Sequence, residues 1–295
     1  MTPMNIPKYW ARSAPLPRGA GKAPFIVSCW HWSNESAQAA QRLADERAIE
    51  LTRKFQAGMP LNHYGYSDRP LREEIVQSLP GPSGEMAAVI TRNLYGALVL
   101  NTSRAMFIDV DFPQRHKPDA AEEVALKKVH EWSAARSGIG LRVYRTCAGL
   151  RCLVTNKTCD PTSPESIELL GSIGSDPLYV RLCKAQACFR ARLTPKPWRL
   201  SAEEAPPQSA WAKLLRIGRS KNRPIEKAPP GFPWLDPGQE QRFRDWQLRY
   251  EMMIQKFSVC RFISHLGTTM VLPEIQQIIA LHDQRCGVAA NQTLA

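Results

Sequence analysis

The spacing of apolar positions changes along the chain, and each change marks an element. Residues 34–56 carry Ala, Leu and Ile three to four apart, which predicts a helix with Ser33 as its cap. Ahead of it, Phe25 to Trp32 is a short apolar strand or turn. Prolines and glycines break 58–84, leaving one short helix around Leu71 to Leu79. From Met86 the period shortens. Ala87 to Arg92 and Ala97 to Asn101 read as paired strands joined at Leu94-Tyr95-Gly96, and Met106 to Phe112 as a third strand.

Helical spacing returns over Asp119 to Ser137, opened by Pro118, with Glu122 and Glu123 in its first turns and Gly138 after it. Leu141 to Thr146 and Arg151 to Thr155 are strands about an Ala148-Gly149 turn. Helices over 164–173 and 177–185 and a strand over 188–193 complete the run, which Pro195 and Pro197 stop. Two amphipathic helices are predicted near the end, Gln239 to Phe257 and Pro273 to Gln284.

Residues 105–194 thus read β-α-β-β-α-β. That order predicts an α+β fold with a ferredoxin/RRM-like core, a four-stranded antiparallel sheet with helices on one face. The expected organisation is an N-terminal helical/β extension over 1–85, the core over 86–200, and a basic linker with a C-terminal helical region over 201–295.

Composition narrows the class. The 295 residues are 43% hydrophobic and 22% charged, which excludes wholesale disorder. No apolar run is long enough to cross a membrane and the first residues contain no apolar signal core, so a soluble cytoplasmic protein is expected. The net charge of +12 favours an anionic partner, nucleic acid or nucleotide. Eight cysteines without an export signal read as free thiols. Two C-x4-C pairs, Cys147/Cys152 and Cys183/Cys188, leave a four-thiolate zinc site as the alternative. The six histidines form no ligand spacing, and His116, just after the third strand, is kept as a nucleotide or metal neighbour.

The sharpest chemical feature is Phe107-Ile108-Asp109-Val110-Asp111-Phe112. Side chains two apart on a strand share a face, so Asp109 and Asp111 present two carboxylates together. Their repulsion is relieved by a cation, and hard oxygen donors suit Mg2+ or Mn2+. The plain alternative has Asp109 in solvent and Asp111 capping the next loop. The second feature is Thr146-Cys147-Ala148-Gly149-Leu150-Arg151, a turn between strands. In the split order Arg151 comes near Asp109, where its guanidinium either grips phosphate or pairs with that carboxylate. Gly149 lets backbone approach a ligand closely. The third is a basic group, Arg190, Arg192, Lys196 and Arg199 beside Trp198, suited to a nucleic-acid backbone or equally to a solvated face.

The first two motifs, in this order and with a helix between them, resemble those of the archaeo-eukaryotic primase superfamily, in its primase-polymerase branch. The resemblance spans residues ~86 to 200. It implies an RRM-like catalytic core and a metal-dependent nucleotidyltransferase of DNA replication or repair. Asp109 and Asp111 would be catalytic and metal-binding, and Arg151, Thr146 and Gly149 substrate-binding. The implied partners are NTP or dNTP, single-stranded or primed DNA or RNA, and a helicase or other replication protein. Two departures stand out: Arg151 replaces the family's histidine, and the last strand carries no third acid, Asp176 being the nearest. The alternative function is a non-catalytic RRM-like nucleic-acid-binding protein, or a structural protein that kept the fold and lost the site.

Overall fold

Short strands from Glu74 onward leave their backbone groups to be satisfied by neighbours, and most of them do so in two separate four-stranded antiparallel sheets. The computed structural model describes residues 3–17, 26–59, 69–81, 84, 86–113, 118–200 and 232–295. In chain order the elements are β1 (Tyr9–Arg12), β2 (Leu16–Pro17), β3 (Ile26–Val27), β4 (Trp30–Ser33), α1 (Ala37–Gln56), β5 (Glu74–Pro80), β6 (Met86–Arg92), β7 (Leu98–Thr102) and β8 (Phe107–Asp111). Then come α2 (Pro118–Ala134), β9 (Leu141–Thr146), β10 (Gly149–Val154), α3 (Pro164–Ile173), α4 (Pro177–Gln186), β11 (Phe189–Arg192) and a 3-10 turn, Pro197–Arg199. Last are α5 (Pro237–Ile254), β12 (Phe257–Ser258), β13 (Cys260–Leu266), α6 (Pro273–Cys286) and β14 (Thr293–Leu294). The chain is α+β.

One sheet has the order β13-β9-β10-β8 and the other β11-β7-β6-β5. As the split order requires, β10 lies between β8 and β9, with Arg151 opposite Asp109 and Gly149 opposite Asp111. The fourth place in that sheet differs from expectation. It is taken by β13, which pairs with β9, while β11 pairs with β7 in the other sheet. The two sheets meet where β8 runs past β11. Tyr179 of α4 bridges them there, donating to the Phe107 carbonyl at 2.8 Å and accepting the Arg190 amide at 3.3 Å. Strand pairing therefore crosses both expected boundaries, since β5 pairs with β6 and β13 with β9.

A single apolar core runs under both sheets. Ile90, Leu100, Phe107, Ile108, Leu153 and Phe189 are buried in it, with Trp132, Leu170, Ile173 and Ile275 from the helices. Each such side chain contributes about 1.5–3 kcal/mol. A smaller cluster joins Leu200 to Phe243, Trp246 and Tyr250 on one face of α5, the face that the spacing predicted. The Tyr250 hydroxyl donates to the Pro195 carbonyl at 2.5 Å and so anchors the segment after β11.

Three local readings are corrected. Ser36, not Ser33, caps α1, accepting the Ala39 amide at 3.0 Å; Ser33 ends β4 and holds the Glu35 amide instead. Residues 71–79 do not form a helix. β-branched Ile75 and Val76 favour extension, and β6 offers a partner, so this stretch becomes the edge strand β5. β13 was unforeseen. Both β5 and β13 carry register shifts, at Ile75/Gln77 and Leu79/Pro80 in the first and at Phe262/Ser264 in the second.

Candidate functional site

A cleft of about 270 Å³ opens where the two sheets meet. Asp109, Asp111, Thr146, Gly149, Arg151, Asp176, Arg192, Lys196 and Arg199 all line it. Eight of the nine residues predicted from the sequence are there. The ninth, Arg190, is not.

The acids come from two elements. Asp109 and Asp111 share a face of β8, and Asp176 caps α4 by accepting the Leu178 amide at 2.9 Å. The approach to α4 is pinned to β8, because the Ser175 hydroxyl donates to the Asp109 carbonyl oxygen at 3.1 Å. Asp176 is thus both a helix cap and a third carboxylate in the cleft. Burial, together with the charges of Asp176 and Asp109, raises the Asp111 carboxyl above its ordinary pKa. Asp111 forms no ion pair among the described residues.

Arg151 settles between its two readings on the side of the carboxylate. It is 2% exposed, and its Nε donates to Asp109 Oδ1 at 2.9 Å. Its Nη1 donates to the Arg192 carbonyl at 2.8 Å and lies 3.4 Å from His282 Nε2. Burial alone would lower its pKa, and the charge and hydrogen bond of Asp109 together with Cys260 and Cys286 more than offset that. With its donors so engaged, Arg151 positions Asp109 and the end of β11 from the floor of the cleft rather than gripping a ligand.

Gly149 is also tied to the strands. A Cβ there would lie 2.3 Å from the Val110 carbonyl oxygen, so its bare backbone serves the close approach of β10 to β8. Thr146 closes the turn by donating to the Gly149 carbonyl at 3.0 Å.

The cations stand opposite the acids. Arg192 ends β11, and Lys196 and Arg199 lie on the segment that Tyr250 anchors. None of the three forms an ion pair among the described residues. Burial and repulsion from Arg192 and Arg199 lower Lys196 to about 8, and burial with the nearby Arg151 lowers Arg192 too. Three crowded cations without a carboxylate partner, Lys196 lying 5.6 Å over the Trp198 ring, make a receptor for a polyanion. Tyr95 and Trp198, edge to face at 5.2 Å, stand beside them, and both are partly exposed.

Arg190 is corrected. Its guanidinium is buried, with Nη2 donating to both oxygens of Glu73 at 2.7 and 2.9 Å and Nη1 to Gln186 at 2.7 Å. It holds the loop before β5 to β11 and has nothing left for nucleic acid.

No protein family, curated protein or solved structure matches the chain.

The two C-x4-C pairs do not gather into a zinc site. Cys152, Cys183 and Cys188 are buried thiols, their pKa values raised by burial, and Cys147 sits half-buried on the β9–β10 turn. His282, one of the histidines without ligand spacing in the sequence, is fully buried beside Arg151. His116 and the basic stretch from Lys213 to Arg223 lie outside the described residues. No described helix is long and apolar enough to cross a membrane.

Lys196 gives the cleft a measurable pH signature. Its ammonium is present below about 8 and lost above it, so anion affinity must fall as pH rises through that value. Inorganic triphosphate is expected to bind about tenfold more weakly at high pH, the loss of one charged hydrogen bond of about 1.5 kcal/mol. Lys196→Arg should flatten the profile, because guanidinium does not titrate in this range. Calorimetric titration across pH checks both, and an identical slope in the variant would remove Lys196 from the anion site.

Proposed function

We propose that the cleft is the active site of a metal-dependent nucleotidyltransferase of primase-polymerase type. One observation carries this reading. Three carboxylates and three cations that form no ion pair among the described residues line one cleft, an arrangement suited to a metal-bound triphosphate and unneeded by a plain binding surface. The ferredoxin/RRM-like reading of the core is supported by β10 lying between β8 and β9, with β11 joined alongside β8 through Tyr179 instead of a ladder. The likeness to primase-polymerases rests on the two motifs alone.

The donors are of the chemical class that takes Mg2+ or Mn2+, although the oxygens of the three carboxylates do not all lie within 4.8 Å of one another. Asp109, Asp111 and Asp176 are hard oxygen ligands, and Asp111 is raised first by burial and then by the charges of Asp176 and Asp109, which a dication would offset. Such an ion, when bound, supplies charge neutralisation at the phosphates and at the reacting phosphorus. The protein's own part is positional. Arg151 fixes Asp109; Arg192, Lys196 and Arg199 hold phosphate oxygens; Tyr95 and Trp198 offer an aromatic surface for a base or a nucleic-acid strand. Single-stranded or primed nucleic acid would bind with strong salt dependence through the basic side.

The test is nucleotide incorporation on a primed single strand with Mg2+ or Mn2+. Wild type is expected to extend the primer, and Asp111→Asn to lose at least two decades of rate while still binding DNA. If wild type incorporates neither NTP nor dNTP on DNA or RNA templates, the non-catalytic binding protein becomes the reading.

A further inference from the structure

Beneath the cleft lies a group of side chains that the proposed reaction does not use. Cys260 begins β13, while His282 and Cys286 lie one turn apart on the inner face of α6. Their ligand atoms, two sulfurs and a ring nitrogen, all fall within 4.8 Å of one another, and all three residues are buried. Among the described residues this is the one group of three such ligands so close together. The geometry points to a structural site for a zinc-class, thiophilic divalent cation.

Several independent features agree. With Zn–S near 2.3 Å and Zn–N near 2.0 Å, a tetrahedral site separates its sulfur and nitrogen ligands by about 3.6 Å. Cys260 Sγ lies 3.9 Å from His282 Nε2, so closure requires only tenths of an ångström. The imidazole is already oriented. Its Nδ1 meets Asp283 Oδ1 at 2.9 Å, which leaves Nε2 to face Cys260 Sγ and, at 3.4 Å, Arg151 Nη1. A carboxylate on the far nitrogen is the usual support for a metal-bound histidine. Asp283 is itself held by Arg142 Nη2 at 2.8 Å.

Charge also balances. Arg151 and Asp109 neutralise each other, as do Arg142 and Asp283. Binding exchanges two thiol protons for one dication, so the net charge of the buried site does not change. The Arg192 carbonyl oxygen, 3.6 Å from Cys286 Sγ, is an oxygen donor at the same spot. It also accepts from Arg151 at 2.8 Å, which places the cluster directly under the cleft. The ion would join β13 to α6, the two C-terminal elements that complete the sheet and its floor.

This inference does not depend on nucleotidyl transfer, and its test reads metal alone. The full chain, purified without chelator from zinc-supplemented growth, should carry one zinc per molecule. Apo protein titrated with Co2+ should develop thiolate-to-cobalt charge-transfer absorption, saturating at one equivalent and releasing about two protons. Cys260→Ser and Cys286→Ser should lose the band, whereas Cys29→Ser, whose thiol meets the Ala44 carbonyl of α1, should keep it. X-ray absorption on wild type should find two sulfurs and an imidazole nitrogen, a readout that stands even where a variant folds poorly. Absence of bound zinc together with a featureless Co2+ titration would overturn the site. So would a full-strength band in Cys260→Ser, or a Cys260–Cys286 disulfide in place of the metal.

Discussion

Replacing Arg190 by alanine is expected to destabilise the fold by about 3–5 kcal/mol, the usual consequence of leaving one partner of a buried ion pair alone. The partner is Glu73, 3% exposed, which would keep a charge with neither water nor guanidinium to meet it. Arg192→Ala, two residues on, should behave oppositely. Arg192 has no ion pair and is repelled by Arg151, so its removal should leave stability nearly unchanged while weakening triphosphate and DNA binding. Urea unfolding of the two variants makes the comparison. An apolar pair, Arg190→Met with Glu73→Leu, should recover much of the loss, because it removes both charges together. Equal destabilisation by Arg190→Ala and Arg192→Ala would overturn this division of labour on β11.

The second large effect belongs to Arg151. Truncation to alanine is expected to cost less stability than at Arg190, since water reaches the 36% exposed Asp109, but about two decades of nucleotide incorporation, because Asp109 loses its fixed orientation. Arg151→Lys should fall between, since one ammonium cannot span both Asp109 and the Arg192 carbonyl. Positioning predicts more than loss. The Arg151→Ala and Asp109→Asn effects on rate should be strongly non-additive, with a coupling of about 2–3 kcal/mol. Single-stranded DNA binding should persist in both. Additive effects would place Arg151 on the ligand and not on Asp109.

Most of the central elements were legible because their apolar positions keep one period from end to end. β6 to β10, α2 to α4 and α5 fall within a few residues of where periodicity puts them. The pairing of Asp109 with Arg151 followed from strand order alone, as one of two readings. What escaped depended on distant residues. β13 reads Cys-Arg-Phe-Ile-Ser-His-Leu, and the shift at Phe262/Ser264 breaks the alternation that would have announced a strand. β5 was taken for a helix because only its pairing with β6 decides otherwise. Nothing local marks Glu73 as the partner of Arg190, more than a hundred residues away. Asp176, in the sequence the nearest candidate for a third acid, caps α4 and lines the cleft, a combination that needed the fold. His282 and Cys286 did carry a signal, their spacing of four on one helix face, but Cys260 lies on the strand that went unseen.

The irregularities in β5 and β13 bear on how the molecule avoids its own kind. Each sheet turns one rim, β8 or β11, toward the other sheet, which leaves β5 and β13 as the outward rims. A straight outer strand presents a row of free amides and carbonyls on which another chain can add, and sheets grow into aggregates that way. Here both outward strands are bent by register shifts, and β5 ends at Pro80, which has no amide to offer. β13 adds the charge of Arg261. The same distortions that hid these strands from a reading of the sequence deny a second copy a template for sheet extension.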